Sequence, residues 1–248
     1  GHDRMDSTSI AAPPTSLLND GASVAGLRVG LVTELTDVEG IDPEVRAAVE
    51  RAASALEAQG AIVERISVPS CIYGLSAYYL IAPAEASSNL ARYDGVRYGL
   101  RVDGDDLYEM NSATRDAGFG AEVKRRIMLG TYALSAGFYD AYYAQAQRVR
   151  TLIIRDFAAA YERFDVLLSP TTPTTAFKFG AKTEDPFSMY LSDICTIASN
   201  LAGHPAMSVP FGLGSDAMPI GVQVLAPALG ESVMFRVARA IEAAGGVA

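Results

Sequence analysis

Histidine is the usual base of a serine hydrolase, and this chain contains two histidines, His2 and His204. A Ser-His-Asp triad would place one of them beside a serine on a Gly-x-Ser-x-Gly turn, and the sequence has no such turn. His204 stands between Gly203 and Pro205, a pattern typical of the end of a helix. We therefore interpret His204 as a helix-terminating residue, and the sequence argues against a histidine-dependent hydrolase.

A serine activated by a lysine could also attack an amide. The lysines are Lys124, Lys178 and Lys182, and none is followed by serines at a spacing that suggests a Ser-Lys pair. Ser87 and Ser88 are adjacent, but they follow an Ala/Glu stretch instead of glycines. We therefore expect that neither serine is a nucleophile.

Composition excludes several other kinds of site. His, Cys, Asp and Glu do not cluster at metal-ligand spacing, and the chain has no phosphate loop or dinucleotide fingerprint. The net charge of −9, with scattered Lys and Arg, disfavours nucleic-acid binding. Cys71 and Cys195 predict buried thiols in a reducing compartment, and no apolar run reaches about 18 residues. We expect a cytoplasmic protein that does not enter a membrane.

The pattern of apolar residues predicts an α/β fold with a mixed central sheet. A strand at 27–32, a helix that starts at Asp42-Pro43, and a strand at 62–68 form a strand–helix–strand unit, which requires a parallel pair. Two later strands are separated by a turn-rich connection, which predicts an antiparallel pair or two neighbours in one sheet. The remaining predicted elements are a helix at 139–161, a strand at 166–168, a helix at 187–201, strands at 206–211 and 220–225, and a helix at 231–243.

Loop-forming residues predict how the chain is divided. Residues 1–25, which include Pro13-Pro14 and Asn19-Asp20-Gly21, predict a linker. Residues 26–248 are expected to belong to a single domain. Within it, residues 70–137 are rich in Tyr, Gly, Ser and Arg and predict helices and ordered loops. We expect this segment to form a helical layer that covers an active-site cleft.

Six segments in consistent order resemble the A subunits of the bacterial tRNA-dependent amidotransferases, which are members of the amidase signature family. They are residues 77–82 (AYYLIA), 85–99 (EASSNLARYDGVRYG), 118–131 (GFGAEVKRRIMLGT), 139–143 (YDAYY), 169–177 (SPTTPTTAF) and 200–203 (NLAG). The resemblance covers nearly the whole chain and implies part of the α/β/α layered amidase-signature fold. The catalytic Lys-Ser-Ser set of the family matches no residue here, and we expect that set upstream of Gly1.

The resemblance also implies an activity. Subunits of this kind hydrolyse glutamine and release ammonia, and a partner B subunit uses the ammonia to amidate Glu-tRNA(Gln) or Asp-tRNA(Asn). A small C subunit bridges the two. ATP and Mg are expected on the partner B subunit, so this chain is expected to bind no cofactor and to make little direct contact with tRNA. Without the catalytic set, the chain alone is expected to be inactive.

Tyr78, Arg126 and Asp193 are the residues that the resemblance assigns to glutamine binding. Glutamine carries an α-carboxylate, which suits a guanidinium, and an α-ammonium, which suits a carboxylate. Helical spacing gives a partial check, because Arg126 falls about 70° from the centre of an apolar stripe whereas Arg125 falls roughly opposite it. Asp193 falls about 75° from the centre of its own stripe. The alternative for each charge is a structural salt bridge or an exposed side chain.

Two further hypotheses remain open at this point. The chain could belong to a stand-alone amidase of the same superfamily that acts on another small amide. Such an enzyme would not need both Arg126 and Asp193, because its substrate lacks the two charged ends of an amino acid. The chain could also be a non-catalytic fragment that only binds partner subunits.

Overall fold

A computed structural model describes residues 1–11 and 23–245. The chain forms two compact units, which we name the sheet unit, Gly1–Leu75 with Thr151–Ala248, and the helical unit, Ser76–Arg150. The residues Pro13-Pro14 and Asn19-Asp20-Gly21 of the predicted linker lie outside the described residues. The division into a linker, a single domain and a cover layer stays a prediction.

The sheet unit is built on a five-stranded mixed sheet. The order across it is β2-β1-β3-β5-β4. The first three strands in this order are parallel, and β5 is antiparallel to both β3 and β4. The predicted mixed α/β architecture is therefore confirmed, with strand ends displaced by one or two residues. The strands are β1 Arg28–Val32, β2 Ile62–Ile66, β3 Val166–Pro170, β4 Ala206–Leu213 and β5 Pro219–Leu225.

A short helical turn α1, Thr33–Thr36, and helix α2, Pro43–Ala58, connect β1 to β2. The Asp42 carboxylate accepts a hydrogen bond from the Glu44 amide at 2.8 Å, and Pro43 occupies the first turn, where a missing amide hydrogen costs nothing. The predicted strand–helix–strand unit is confirmed. The apolar residues that repeat at helical spacing are buried in it: Val45, Ala48, Val49, Ala52 and Leu56.

The core of the sheet unit contains side chains from the sheet, from α2 and from helix α9, Glu231–Gly245. Alternate residues of a strand point to the same face, so each central strand contributes every second residue. Cys195 belongs to this core, and Cys71 and Cys195 are both buried free thiols, as the sequence predicts. Burial raises the pKa of the Cys195 thiol to about 12. The strand residues in this core are Val29, Leu31, Val166, Leu168, Val209, Phe211, Ile220, Val222 and Val224.

The helical unit contains most of α3, Gly74–Leu90, together with α4, Leu107–Gly118, and α5, Ala121–Leu134. A short 3-10 helix, Pro69–Tyr73, precedes α3. The Asp106 carboxylate caps α4 by accepting a hydrogen bond from the Glu109 amide at 2.7 Å. None of the helices in the described ranges is long and apolar enough to cross a membrane.

The helix predicted at 139–161 begins differently in the structure. A π-helical turn spans Asp140–Ala144, and regular helix α6 spans Gln145–Tyr161. In the π turn, the Ala144 amide donates to the Tyr139 carbonyl five residues earlier, at 2.9 Å. The rings of Tyr139 and Tyr143 lie 5.3 Å apart across this turn. The prediction of a regular helix at 139–144 is therefore wrong, because the spacing of apolar residues does not distinguish a π turn from an α turn.

The helix predicted at 187–201 is three shorter elements. Helix α7 spans Pro186–Tyr190, a 3-10 turn spans Leu191–Asp193, and helix α8 spans Ile194–Ala202. The apolar spacing of Tyr190, Ile194, Ile197 and Leu201 continues through the break, so periodicity did not reveal it. The angle that the sequence assigned to Asp193 assumed one continuous helix and is therefore wrong.

Gly130 allows α5 to approach α3 closely. A methyl group at Gly130 would overlap the backbone carbonyl of Pro83 and would lie 2.8 Å from Cβ of Ser87. Next to it, the hydroxyls of Thr131 and Ser87 share a hydrogen bond at 2.8 Å. The contact between the two helices therefore depends on the missing side chain at position 130.

We predict that Gly130→Ala destabilises the protein by about 1–3 kcal/mol, because the added methyl group forces the two helix backbones apart. The measurement is the midpoint of thermal unfolding. Gly118→Ala is the matched control, since its added methyl would meet only Leu100 Cδ2, at an ordinary 3.5 Å. Equal midpoints for the two variants would contradict the close approach.

Candidate functional site

Helix α5 gives its two adjacent arginines different environments. The side chain of Arg125 is 51% exposed, whereas that of Arg126 is 28% exposed. Gly130 is buried on the same helix, and Val123 and Ile127 are half-buried. This is the difference that the helical spacing predicts, with Arg126 at the margin of the packed face and Arg125 in solvent.

Three groups surround the Arg126 guanidinium. Its Nε donates a hydrogen bond to Glu122 Oε1 at 2.9 Å, and its Nη1 lies 3.4 Å from the Tyr78 hydroxyl. The ring of Tyr79 lies under the guanidinium, with 5.6 Å between Cζ and the ring centroid. These contacts hold the plane of the guanidinium in one orientation.

The charge of Arg126 is retained in this partly buried position. Burial by itself would lower the pKa of the Arg126 guanidinium, but the hydrogen bonds to Glu122 and Tyr78 outweigh burial and raise that pKa above its ordinary value. Arg126 is therefore a permanent cation with a fixed orientation. A carboxylate is the ligand that such a fork binds best.

Glu122 is shared by the two arginines. Its Oε2 accepts a hydrogen bond from Arg125 Nη1 at 2.7 Å, while its Oε1 accepts from Arg126. One carboxylate thus faces two guanidinium groups within one turn of α5, so these three side chains carry a surplus of one positive charge. Sequence reasoning missed Glu122, although its position four residues before Arg126 is the favourable one for an ion pair on a helix.

Tyr78 and Tyr79 lie side by side on α3, with ring centroids 5.0 Å apart and planes nearly perpendicular. Both contact Arg126, one through its hydroxyl and the other through its ring. The sequence singled out Tyr78 and missed Tyr79. Spacing alone gave no basis to expect that adjacent aromatic residues would meet the same cation in two different ways.

Asp193 belongs to the sheet unit, where it ends the 3-10 turn and occupies the N-cap position of α8. Asp193 is exposed, and its side chain makes no capping hydrogen bond to α8. Its backbone carbonyl accepts a hydrogen bond from the Thr196 hydroxyl at 3.1 Å. The structure therefore brings Arg126 and Tyr78 together within the helical unit and holds Asp193 by its backbone within the sheet unit.

Ser87 has a structural role in the helical unit. Its hydroxyl bonds the Thr131 hydroxyl, and Thr131 in turn donates to the Ile127 carbonyl at 2.8 Å. The ammonium of Lys124, the lysine of this unit, pairs with Asp116. These contacts give Ser87 and Lys124 local partners, and the expectation that the adjacent serines are not nucleophiles stays a prediction.

The described residues contain no group of three or more His, Cys, Asp or Glu side chains placed to hold a metal ion.

The threonine-rich loop after β3 uses its hydroxyls in hydrogen bonds to nearby side chains. Thr171 shares a hydrogen bond with Ser208 at 2.8 Å, and Thr175 donates to Asp216 at 2.8 Å. These bonds join the loop to Ser208 on β4 and to Asp216 in the turn between β4 and β5.

The sequence profile of the Amidase family matches residues 1–234, which is most of the chain. The chain belongs to the amidase family.

Close relatives of this amidase-family chain are the A subunits of glutamyl-tRNA(Gln) amidotransferases. The protein from Rubrobacter xylanophilus is 58% identical over 248 residues, which cover 100% of this chain and 51% of that protein. The protein from Thermosynechococcus vestitus is 57% identical over 98% of this chain and 50% of its own length. The crystal structure of the A subunit from Thermotoga maritima matches with a TM-score of 0.75 and 37% identity, over 99% of this chain and 48% of that chain. The amidase-signature fold is thereby confirmed, and the chain spans about half the length of the relatives it matches.

His204 of this amidase-family chain is packed between aromatic rings. Its ring centroid lies 4.5 Å from that of Phe157 and 5.4 Å from that of Tyr161. Both ring nitrogens and the Tyr161 hydroxyl are buried without a hydrogen-bond partner of ordinary geometry in the described part of the chain. Burial lowers the pKa of His204 and raises that of Tyr161. His204 therefore packs as a neutral ring after the end of α8, in agreement with its interpretation as a helix-terminating residue.

We predict that His204 makes the protein less stable in mild acid. Because its folded pKa is below the ordinary 6.5, the unfolded state binds the proton more readily. The contribution of neutral His204 to the free energy of unfolding is fully present above about pH 7. It falls as the pH drops below 6.5, by at most about 1.4 kcal/mol per pH unit. Urea unfolding between pH 5 and 8 measures this, and His204→Phe should flatten the profile.

His2→Ala is the control for this prediction, because His2 is exposed. Its profile should follow that of the unchanged protein. A His204→Phe profile as steep as the parent profile would show that another group causes the loss of stability in acid.

Proposed function

We propose that this chain is part of the glutamine-hydrolysing A subunit of a tRNA-dependent amidotransferase and carries glutamine-binding residues of that enzyme. The observation that carries the proposal is the 58% identity, over all 248 residues, to the A subunit of a glutamyl-tRNA(Gln) amidotransferase. The alignment extends through both the sheet unit and the helical unit. It therefore spans Tyr78, Arg126 and Asp193.

In this proposal the complete protein converts glutamine and water to glutamate and ammonia. A partner B subunit then uses the ammonia, with ATP and Mg, to amidate Glu-tRNA(Gln) or Asp-tRNA(Asn), and a small C subunit bridges the two. The tRNA-dependent reaction belongs to protein synthesis, so we place it in the cytoplasm. The net charge of −9 is consistent with little direct contact between this chain and tRNA.

We propose that Arg126 binds the α-carboxylate of glutamine. Three observations support this role: the guanidinium is partly buried, its Nε is already bound by Glu122, and the Tyr79 ring covers one face. Its terminal nitrogens, next to the Tyr78 hydroxyl, are the donors left for a bidentate carboxylate. Tyr78 would donate a third hydrogen bond to the same carboxylate.

We propose separately that Asp193 binds the α-ammonium of glutamine. The support is the resemblance at this position, together with a carboxylate that is exposed and does not cap its own helix. An enzyme that accepts simple amides needs neither a cation for an α-carboxylate nor an anion for an α-ammonium. The two roles therefore distinguish a glutaminase from a stand-alone amidase.

The first experiment expresses the whole gene that contains this chain together with its partner subunits and measures ammonia release. We expect glutamine to be hydrolysed with a kcat/KM at least about 100-fold higher than that of propionamide, since propionamide leaves both charged binding groups unpaired. Comparable values for the two substrates would favour the stand-alone amidase. An assembly that contains the whole protein and releases no ammonia would overturn the proposal.

The second experiment compares the two adjacent arginines in that assembly. We predict that Arg126→Ala raises the KM for glutamine by about 10- to 100-fold, the effect of losing a charge-assisted hydrogen bond, whereas Arg125→Ala changes it by less than about twofold. Arg126→Lys should restore little, because an ammonium lacks the guanidinium fork. Equal effects of the two alanine variants would refute the role of Arg126.

Glu122→Gln is the structural control for Arg126. If Arg126 acted only through its ion pair with Glu122, this variant would raise KM as much as Arg126→Ala. We expect a clearly smaller increase, because the guanidinium remains beside Tyr78 and Tyr79. A second control substrate is 4-aminobutanamide, which lacks the α-carboxylate, and its KM should not respond to Arg126→Ala.

A further inference from the structure

Lys182 lies in the loop that joins β3 to α7, and this loop is folded into consecutive turns. Gly180 has a φ of +81°, which favours glycine. The Ala181 amide donates to the Lys178 carbonyl at 3.1 Å, and the Thr183 hydroxyl donates to the Gly180 carbonyl at 2.9 Å. These bonds fix the backbone on both sides of Lys182.

The ammonium of Lys182 contacts one residue that precedes it in the chain, Phe177, and one that follows it, Ser192. Its Nζ donates a hydrogen bond to Ser192 Oγ at 2.7 Å and lies 4.2 Å from the centroid of the Phe177 ring. The residue is half-buried, whereas Lys178 in the same loop is exposed. A lysine held by an aromatic face and a hydroxyl has lost much of the freedom that a surface lysine keeps.

Ser192 is the middle residue of the 3-10 turn that ends at Asp193. On the other side, the Asp193 carbonyl accepts the hydrogen bond from Thr196. The backbone of Asp193, at φ −93° and ψ −3°, therefore lies between two side-chain hydrogen bonds. One joins Lys182 to Ser192, and the other joins Thr196 to the Asp193 carbonyl. An aspartate at an N-cap usually directs its carboxylate to the amides of the first helical turn, but Asp193 does not.

We propose that Lys182 is a positioning residue that acts through Ser192 to keep the Asp193 carboxylate directed to an ammonium ligand. This inference rests on the proposed function, in which that ligand is the α-ammonium of glutamine. The physical reason is competition. When the 3-10 turn is released, the Asp193 carboxylate can turn to the amides of α8, and it is then lost to the substrate.

The experiment uses the complete protein assembled with its partners and measures KM and kcat for two substrates. Glutamine carries the α-ammonium, and glutaramate is the same molecule without its amino group. A positioning role through Asp193 predicts an effect on glutamine that glutaramate does not share. General disorder of the loop would change both substrates alike.

We expect Lys182→Met to raise the KM for glutamine about tenfold, with kcat changed by less than about twofold and the KM for glutaramate unchanged. Ser192→Ala should reproduce this pattern, and Lys182→Arg, which keeps a donor and a cation, should recover most of the affinity. Lys178→Met is the matched control, and it should behave as the unchanged protein. An increase in KM shared equally by both substrates, or no increase, overturns the proposal.

The double variant separates this inference from the proposed function. Asp193→Asn should itself raise the KM for glutamine, and adding Lys182→Met to it should have little further effect, because the two act on the same contact. If the two effects are fully additive, the positioning role of Lys182 is overturned and the assignment of Asp193 is not. If Asp193→Asn leaves the KM for glutamine unchanged, the assignment of Asp193 fails, and Lys182 has no substrate contact to position.

Discussion

The buried amide of Gln223 is the interaction on which the position of α8 depends. Gln223 lies on β5 and is 3% exposed. Its Nε2 donates one hydrogen bond to Ser169 Oγ on β3 and one to the Cys195 carbonyl, each at 2.9 Å. An amide buried this deeply would be costly without partners, so the two strands and the first turn of α8 are held in one arrangement. Asp193 precedes that turn directly, and its position therefore follows from the sheet.

In the helical unit, the guanidinium of Arg126 is partly buried. A guanidinium can be buried only if its donors and its charge are compensated. Arg126 has an ion pair on one edge and an aromatic ring on one face, and its Nη1 lies next to the Tyr78 hydroxyl. Gly130 brings the helix of Arg126 against the helix of Tyr78. The close approach and the cation are thus parts of one local arrangement.

Much of this fold was predictable because local and tertiary preferences agree. The cap at Asp42, the buried stripe of α2 and the antiparallel β4–β5 pair all follow from residue spacing and turn residues. The contrast between Arg125 and Arg126 also followed, since it depends only on helical geometry. The break at 191–193 did not, because the apolar spacing continues through it while the hydrogen bond that accompanies it comes from Lys182 in a preceding loop. Glu122 and Tyr79 were missed for a related reason. Each contacts the Arg126 guanidinium in the folded chain, and neither belongs to a sequence motif.

The Lys182–Ser192 contact resembles the start of a lysine–serine catalytic pair, and its geometry argues against that role. A lysine that activates a serine must accept the hydroxyl proton, and so must reach it as a neutral amine. Here the Lys182 ammonium donates a hydrogen bond to Ser192 and lies over the Phe177 ring, so it meets the hydroxyl as a donor and not as an acceptor. Ser87 is bonded to a threonine, and Lys124 to an aspartate. Each of these polar groups therefore has a local partner, and in the proposed enzyme the cleavage of the amide requires a nucleophile other than Ser87 and Ser192.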